Sequence, residues 1–340
     1  MTDNNEPGFK ASIVNQWGDP ESALESSRRE LFFNASLAHN GEYYEPSIPF
    51  KFLAQLRRIN PHHSPLPEWV AGQVVRYYKP SNILTRTDLK RTLVDLETTA
   101  NGFLRKIYNK AGQVSRLVYQ PTINTRLAAD GNHYGYIDST NHTFKKFNEG
   151  EVIHLQQHDS LQQIYGVPYW IGALQSILLG ENVRIFPRLF FENGGSTGDI
   201  VATSGLNTIE QEALEKTLKG IKGNGRFKRV TLQFKSGKIS EILNVIPYST
   251  GSDKIDFSKL ANLSSDDILD AWGIRKELLG MTPDAYGGSG DLEKIERAWH
   301  KSGIIQRQQA IEDAINPALS SSTPVQFYTF KELNEQDGLS

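Results

Sequence analysis

The chain has 340 residues, enough for about two domains or one elongated subunit. Its 37 Lys and Arg against 39 Asp and Glu leave a formal charge of −2, which excludes a basic coat for nucleic acid, so contact with a polyanion must be local. Cysteine is absent, which excludes disulfide scaffolds, thiolate zinc sites, iron–sulfur clusters and a cysteine nucleophile.

Residues 1–46 carry few aliphatic side chains and are expected to form a flexible arm, too poor in apolar area to offset the entropy of ordering. The opening MTDNNEPGFK lacks the apolar core of an export signal. The most apolar stretch, Ile171 to Phe191, is interrupted by Glu181, Arg184 and Arg188, so no membrane span is expected. From Ser47 the pattern is helical: Phe52, Leu53, Leu56 and Ile59 share a face and Pro61 ends the run. Trp69, Val70, Val74 and Tyr77 mark a second helix; Leu89, Leu93 and Leu96, opened by Thr87 or Asp88, mark a third.

Between Asn101 and Leu155 the period shortens to two, with Asn109 to Gly112 and Asp138 to Asn141 as turns, which predicts an antiparallel meander. Trp170 to Asn193 is apolar on more than one face and reads as a helix with neighbours on two sides, kinked or broken near Pro187. Asp199 to Ser204, Phe227 to Phe234 and Lys238 to Ile246 read as strands, and Thr208 to Lys219 as a helix, together a small α/β insert. Ser264 to Leu279 is predicted helical, Gly280 to Gly290 a Gly-rich loop, Asp291 to Ile315 a long helix ended by Pro317, and Val325 to Phe330 a late strand.

Three motifs point to chemistry without the context it needs. Gly194 to Gly198 spells G-x-S-x-G around Ser196, but a nucleophile elbow follows a strand and precedes a helix, and here the predicted order is reversed. His154 and His158, beside Asp159, have the spacing of two ligands on a helical turn, but the segment around His154 reads as a strand, which would separate the rings, and no third ligand is nominated; His62 and His63 sit in a Pro-rich turn. No G-x-x-x-x-G-K-[ST] is present, and Gly288-Ser289-Gly290 lacks a third glycine at Glu293. By contrast Lys216, Lys219, Lys222, Arg226, Lys228, Arg229, Lys235 and Lys238 form a one-signed block free of acidic residues, suited to DNA or an acidic partner. A serine hydrolase using Ser196 and a monomeric nucleic-acid-binding module centred on residues 216–238 are the alternatives these motifs leave.

Tyr44-Glu45-Pro46, His62-His63-Ser64-Pro65, Asn101-Gly102-Phe103-Leu104, Ile164-Tyr165-Gly166-Val167-Pro168, Asn193-Gly194 with Gly198, Ser264-Ser265-Asp266-Asp267, Leu278-Leu279-Gly280 and Gly287 to Lys294 follow one another in a specific order and spacing. In these stretches, from about Tyr43 to Phe330, the chain resembles the portal proteins of tailed bacteriophages, specifically the PBSX-type portal family of contractile-tailed phages and prophages. The resemblance implies an α+β portal fold. Residues 47–168 would be an antiparallel β-rich wing, 169–197 a first stem helix, 198–246 an α/β clip and 247–279 a second stem helix. Residues 280–290 would be a tunnel loop, and 291–340 a long helix with a short crown and return strand. Relatives usually place a proline after the apolar residue near the end of the second stem helix, where Ile274 is followed by Arg275; Pro187 is also foreign to a first stem helix.

The resemblance further implies a non-enzymatic, cofactor-free homo-oligomeric ring, typically a dodecamer, at one capsid vertex of the virion, assembled in the bacterial cytoplasm. Through it double-stranded DNA would pass non-specifically, driven by a separate terminase large subunit, with capsid, scaffolding and head-completion or neck proteins as further partners and no membrane. Ile171, Leu174, Ile177, Leu178 and Ile185 would supply stem packing between subunits. Tyr286, Gly287, Gly288, Ser289 and Gly290 would meet the passing DNA, and the basic block would face DNA or acidic partners at the clip.

Overall fold

The computed structural model describes residues 40–160, 164–192, 199–202, 244–247, 257–280, 289–319 and 324–336. Three helices lead. Helix α1 (Phe50–Ile59) follows Pro49 and buries Phe50, Leu53 and Leu56, an i, i+3, i+6 set along one face. Helix α2 (Leu66–Arg76) carries Pro67 in its first turn, where a missing N–H breaks no helical bond. Helix α3 (Arg86–Thr99) is capped by Thr85 rather than by Thr87 or Asp88. The Thr85 hydroxyl accepts from the Asp88 amide at 3.0 Å and donates to the Asp88 carboxylate at 2.7 Å, so a reciprocal pair fixes the start two residues early.

The expected meander resolves into two antiparallel sheets. The strands are β1 (Asn101–Tyr108), β2 (Val114–Gln120), β3 (Thr125–Leu127), β4 (Tyr134–Ile137), β5 (Phe144–Lys146) and β6 (Val152–Gln156). A 3-10 turn at Thr122–Asn124 diverts the chain from the first sheet, ordered β2-β1-β6, into the second, ordered β3-β4-β5; β6 then returns to pair with β1. The turns fall where Asn and Asp were found. Asn109 accepts from the amides of Ala111 and Gln113 at 2.9 Å, and Asp138 accepts from Thr140 N at 2.9 Å.

Beyond a 3-10 segment at Tyr169–Ala173, helix α4 spans Leu174–Glu192 and continues through Pro187, which withdraws only one backbone donor. Strands β7 (Asp199–Ala202) and β8 (Asn244–Pro247) pair antiparallel. Helix α5 runs Phe257–Trp272, not to Leu279: Gly273 takes φ +63 and a 3-10 turn at Lys276–Leu279 follows. The long final helix is interrupted, as α6 (Ser289–Trp299), a π segment His300–Ile304 and α7 (Ile305–Ile315). The late strand is a correction too. Phe327 makes only a single bridge to Tyr78, and Phe330–Gln336 is helix α8, started by a capping box in which Thr329 N donates to Glu332 at 2.6 Å.

The chain divides into two compact units, Asn182–Ser258 falling in one and the remaining described residues in the other. The larger holds two main cores. One packs α2, α3, β1, β2 and β6 with α7 around Tyr78, Leu89, Leu104 and Ile311; the second packs α1 and α2 with α4 and α5 around Leu53, Trp170, Ile177 and Ile268. In the smaller unit Phe186 stacks on Phe257 at 5.1 Å.

Candidate functional site

The expected stem helices are α4 and α5, and the first turns of α4 meet the middle of α5 and the end of α1 through polar groups. Asn60, fully buried at the end of α1, donates from Nδ2 to the Ile177 carbonyl at 3.1 Å, while its Oδ1 accepts the His62 amide at 2.9 Å. Ser264 Oγ donates to the Ser176 carbonyl at 2.6 Å, and Ser176 Oγ donates to Asp267 Oδ2 at 2.7 Å. Gly180 makes this approach possible: a Cβ there would stand 2.2 Å from Asn60 Nδ2 and 2.5 Å from Ser264 Oγ. The crossing is therefore fixed by hydrogen bonds to helical carbonyls rather than by apolar shape alone, which sets register as well as contact.

The family-bearing stretches converge on a second buried network. Asn101 uses its whole amide: Nδ2 donates to the Thr99 and Gly166 carbonyls at 2.7 and 3.1 Å, and Oδ1 accepts the Gly166 amide and His154 Nε2, both at 2.9 Å. Since a carboxamide oxygen only accepts, His154 carries its proton on Nε2 and takes the Tyr134 hydroxyl on Nδ1 at 3.0 Å. Its ring stacks on Phe103 at 4.4 Å, and burial lowers its pKa to about 3. Tyr165 donates to the Tyr44 carbonyl at 3.0 Å and accepts the Leu127 amide at 2.9 Å; Glu45 pairs with Arg126 at 3.0 Å. His154 is thus a satisfied structural residue. His158 is exposed, and among the described residues no cluster of three His, Asp or Glu could hold a metal.

His63 lies between the Trp170 and Trp272 rings at 4.5 and 5.8 Å, fully buried, with neither ring nitrogen hydrogen-bonded. Burial first, and the Arg57 charge second, lower its pKa to about 4. An unfolded imidazole titrates near 6.5, so between about pH 4 and 6.5 the unfolded chain binds the extra proton. Stability from this residue is complete above that window and falls as pH drops through it. The loss reaches about 2 kcal/mol at pH 5. His63→Phe, which keeps the ring and removes the proton site, is expected to show a smaller drop in Tm between pH 7 and pH 5 than the parent chain. Equal drops would show that His63 is not a proton site linked to folding.

Of the expected stem-packing residues, Leu174 and Ile177 do not face outward. Both are buried within their own subunit, Ile177 completely, against Leu53, Leu56, Val70 and Ile268 of the second core, because the Gly180 approach draws this face of α4 against α1 and α5. Ile171 and Leu178 are half-buried on the margin of that core, and Ile185, in the smaller unit, is half-buried. Ser289 and Gly290 belong to the first turn of α6 rather than to a loop. Tyr286, Gly287 and Gly288, the basic residues Lys216, Lys219, Lys222, Arg226, Lys228, Arg229, Lys235 and Lys238, and Ser196 lie outside the described residues. The flanks of Ser196 are described: helix α4 precedes it and strand β7 follows, the reverse of a nucleophile elbow, so the hydrolase reading has no support. Nor does any helix among the described residues have the length and apolarity to cross a membrane.

Sequence reasoning did not single out Asn60, Gly180 or the pair of buried Glu97 and half-buried Arg307, joined at 2.7 Å. Their partners lie far away in the chain, and the one local signal was that Asn60 precedes a proline at a helix end.

Two helices that cross on a body of helices and small antiparallel sheets point to the class. Residues 75–336 match the family Phage portal protein, and the chain belongs to that family, the head–tail connectors of phages. It is 32% identical over 302 residues, 87% of this chain and 86% of the other, to the "Probable portal protein" of Escherichia phage P2. In fold it is similar to a chain in the neck of an empty GTA particle solved with C6 symmetry, at 13% identity, 92% coverage of both chains and TM-score 0.57. It is also similar to the crystal structure of an HK97 family phage portal protein from Corynebacterium diphtheriae, at 13% identity, TM-score 0.51, with 83% of this chain and 92% of that one covered.

Proposed function

We propose that the chain assembles into a dodecameric ring at one capsid vertex and serves as a passive, cofactor-free conduit for double-stranded DNA, within the PBSX-type branch of the portal family. The observation that carries this reading is the family match over residues 75–336. The fold likeness to a chain of a particle neck supports a place in a virion, and the six-fold symmetry of that neck is contained in a twelve-membered ring.

A separate terminase supplies the work, since no P-loop is present in the sequence, and capsid, scaffolding and head-completion proteins dock on the ring, which is built in the host cytoplasm. Near-neutral charge suits passage, because a lining that neutralised many phosphates would hold the DNA rather than let it slide. Tyr286, Gly287 and Gly288 meet the DNA without base readout, and the eight cations between Lys216 and Lys238 face DNA or acidic partners, multiplied by the ring.

Mass photometry of the purified protein is expected to show a species of twelve times 38.2 kDa, about 458 kDa. A single 38.2 kDa species at micromolar concentration, with DNA-filled heads still formed when the protein is missing, would overturn the proposal.

A further inference from the structure

Helices α2 and α3 and strand β2 enclose an open cleft of about 500 Å³ in the larger unit. Arg86, Lys90 and Arg91 of α3 line it together with the apolar surfaces of Val75, Val94 and Tyr119. These cations are weakly engaged. Arg91 makes no hydrogen bond or ion pair among the described residues, Arg86 donates only to the Tyr78 carbonyl at 3.3 Å, and Lys90 reaches Glu68 at 3.6 Å. Against these three cations the cleft holds two carboxylates: Glu68, exposed and equally loose at 3.6 Å from Arg57 and from Lys90, and Asp95, which already accepts Tyr119 Oη at 2.8 Å and Thr122 N at 3.1 Å. What remains open is a rim of positive charge over an apolar floor, which fits an extended segment that alternates carboxylates with large apolar side chains.

The chain contains such a segment. Residues 1–27 hold Asp3, Glu6, Asp19, Glu21 and Glu25 against the single cation Lys10, and residues 13–27 interleave three of those carboxylates with Ile13, Val14, Trp17 and Leu24. We infer that the cleft between α2 and α3 receives residues 13–27 of a second copy of the chain, Asp19, Glu21 and Glu25 meeting Arg86, Lys90 and Arg91 while Trp17 and Leu24 cover the apolar floor. A ring requires a heterologous interface, in which each copy presents two different surfaces, one giving and one receiving, and an acidic arm with a basic cleft is such a pair. The charges also steer encounter and reject the wrong register. The inference rests on the ring reading above.

The natural chain has no cysteine, so two introduced thiols are the only ones present. Ser22→Cys with Thr87→Cys, the latter an exposed position on the cleft, leaves every charged partner intact. Treated with a short bismaleimide as assembled full-length rings, this variant is expected to give a ladder of covalent oligomers on a denaturing gel. Ser22→Cys with Thr140→Cys, an exposed turn between β4 and β5, is the control and should give none. Arg86→Glu with Arg91→Glu in the cysteine background should cut ladder yield at least tenfold, and adding Asp19→Lys with Glu21→Lys should restore it, which a merely misfolded variant would not do.

Rings of full mass with no ladder, a ladder equal to the control, or cross-linking only within single chains would each overturn the occupant and leave the ring intact. A chain that never forms rings would overturn the ring reading itself.

Discussion

Ile177→Asp is expected to abolish folding of the single subunit, before any question of assembly arises. Burying the isoleucine side chain is worth about 1.5–3 kcal/mol, and a carboxylate in its place would be desolvated with no cation among the residues of the second core to pair its charge. Together the two losses take a large share of the roughly 5–15 kcal/mol that holds a domain folded. The neighbouring positions calibrate the effect. Leu178→Asp, half-buried at the margin, should leave a folded chain of lower Tm, and Gln175→Asp, exposed one turn earlier, should leave Tm unchanged. Circular dichroism melts and limited proteolysis of the three variants decide the matter. A folded Ile177→Asp chain with an unaltered melt and a specific assembly defect would mean that Ile177 faces a neighbouring subunit after all.

That contrast shows where the sequence was legible and where it stopped. Apolar periodicity located α1, α2 and α3 because their buried residues recur at three and four, and nothing else competes with that signal. It also marked α4 as apolar on several faces. Periodicity cannot say whether a face meets another part of the same chain or another copy, since a leucine is equally apolar to both. Here the answer depends on Gly180, whose missing Cβ lets Asn60 and Ser264 approach and so turns Ile177 inward. The same limit explains the strands. Alternation and the Asn and Asp turns announced an antiparallel arrangement, but the pairing of β6 with β1 is a long-range choice made by His154, Phe103 and Asn101 together, and no local window contains all three.

The candidate site was legible mainly through resemblance, and the structure gives that resemblance physical content. Asn101 and Gly166, from two distant stretches, are joined by buried hydrogen bonds, and the adjacent Tyr165 donates to the Tyr44 carbonyl of a third. Ser264 and Asp267 meet Ser176 where α4 and α5 cross. Gly166 tolerates no side chain, because a Cβ would stand 2.2 Å from the Gln157 carbonyl. Boundaries were lost where a single residue overrides propensity: Gly273 stops α5 early, and Ile305 N bonds back to the His300 carbonyl to make the π segment that divides the last long helix.

Beside that π segment sits the pair whose disruption should have the second large effect. Arg307 of α7 binds Glu97 at the end of α3 through two parallel contacts, Nε to Oε1 at 2.7 Å and Nη2 to Oε2 at 3.3 Å, and donates from Nη1 to the Gly303 carbonyl at 3.2 Å. Burial is the largest single influence and acts to lower the Arg307 pKa, but the charge of Glu97, its hydrogen bond and the nearby Tyr169 together outweigh it and the net direction is upward. The Glu97 carbonyl also accepts Trp170 Nε1 at 3.1 Å, so the pair ties α3 and α7 to the entry of α4. Arg307→Met would leave the Glu97 carboxylate, 4% exposed, without its cation, at an expected cost of about 3–5 kcal/mol. In a domain of this size that lowers Tm on the order of 10 °C. Glu97→Met with Arg307→Met removes both charges and fills the space with apolar surface, so the double variant should recover most of the loss even though it carries more changes. Melting of the two variants beside the parent chain reads this directly. A double variant as unstable as Arg307→Met would show that the guanidinium stabilises chiefly through its bond to Gly303 and its packing, and a single variant that melts like the parent would show that the ion pair contributes nothing to the fold.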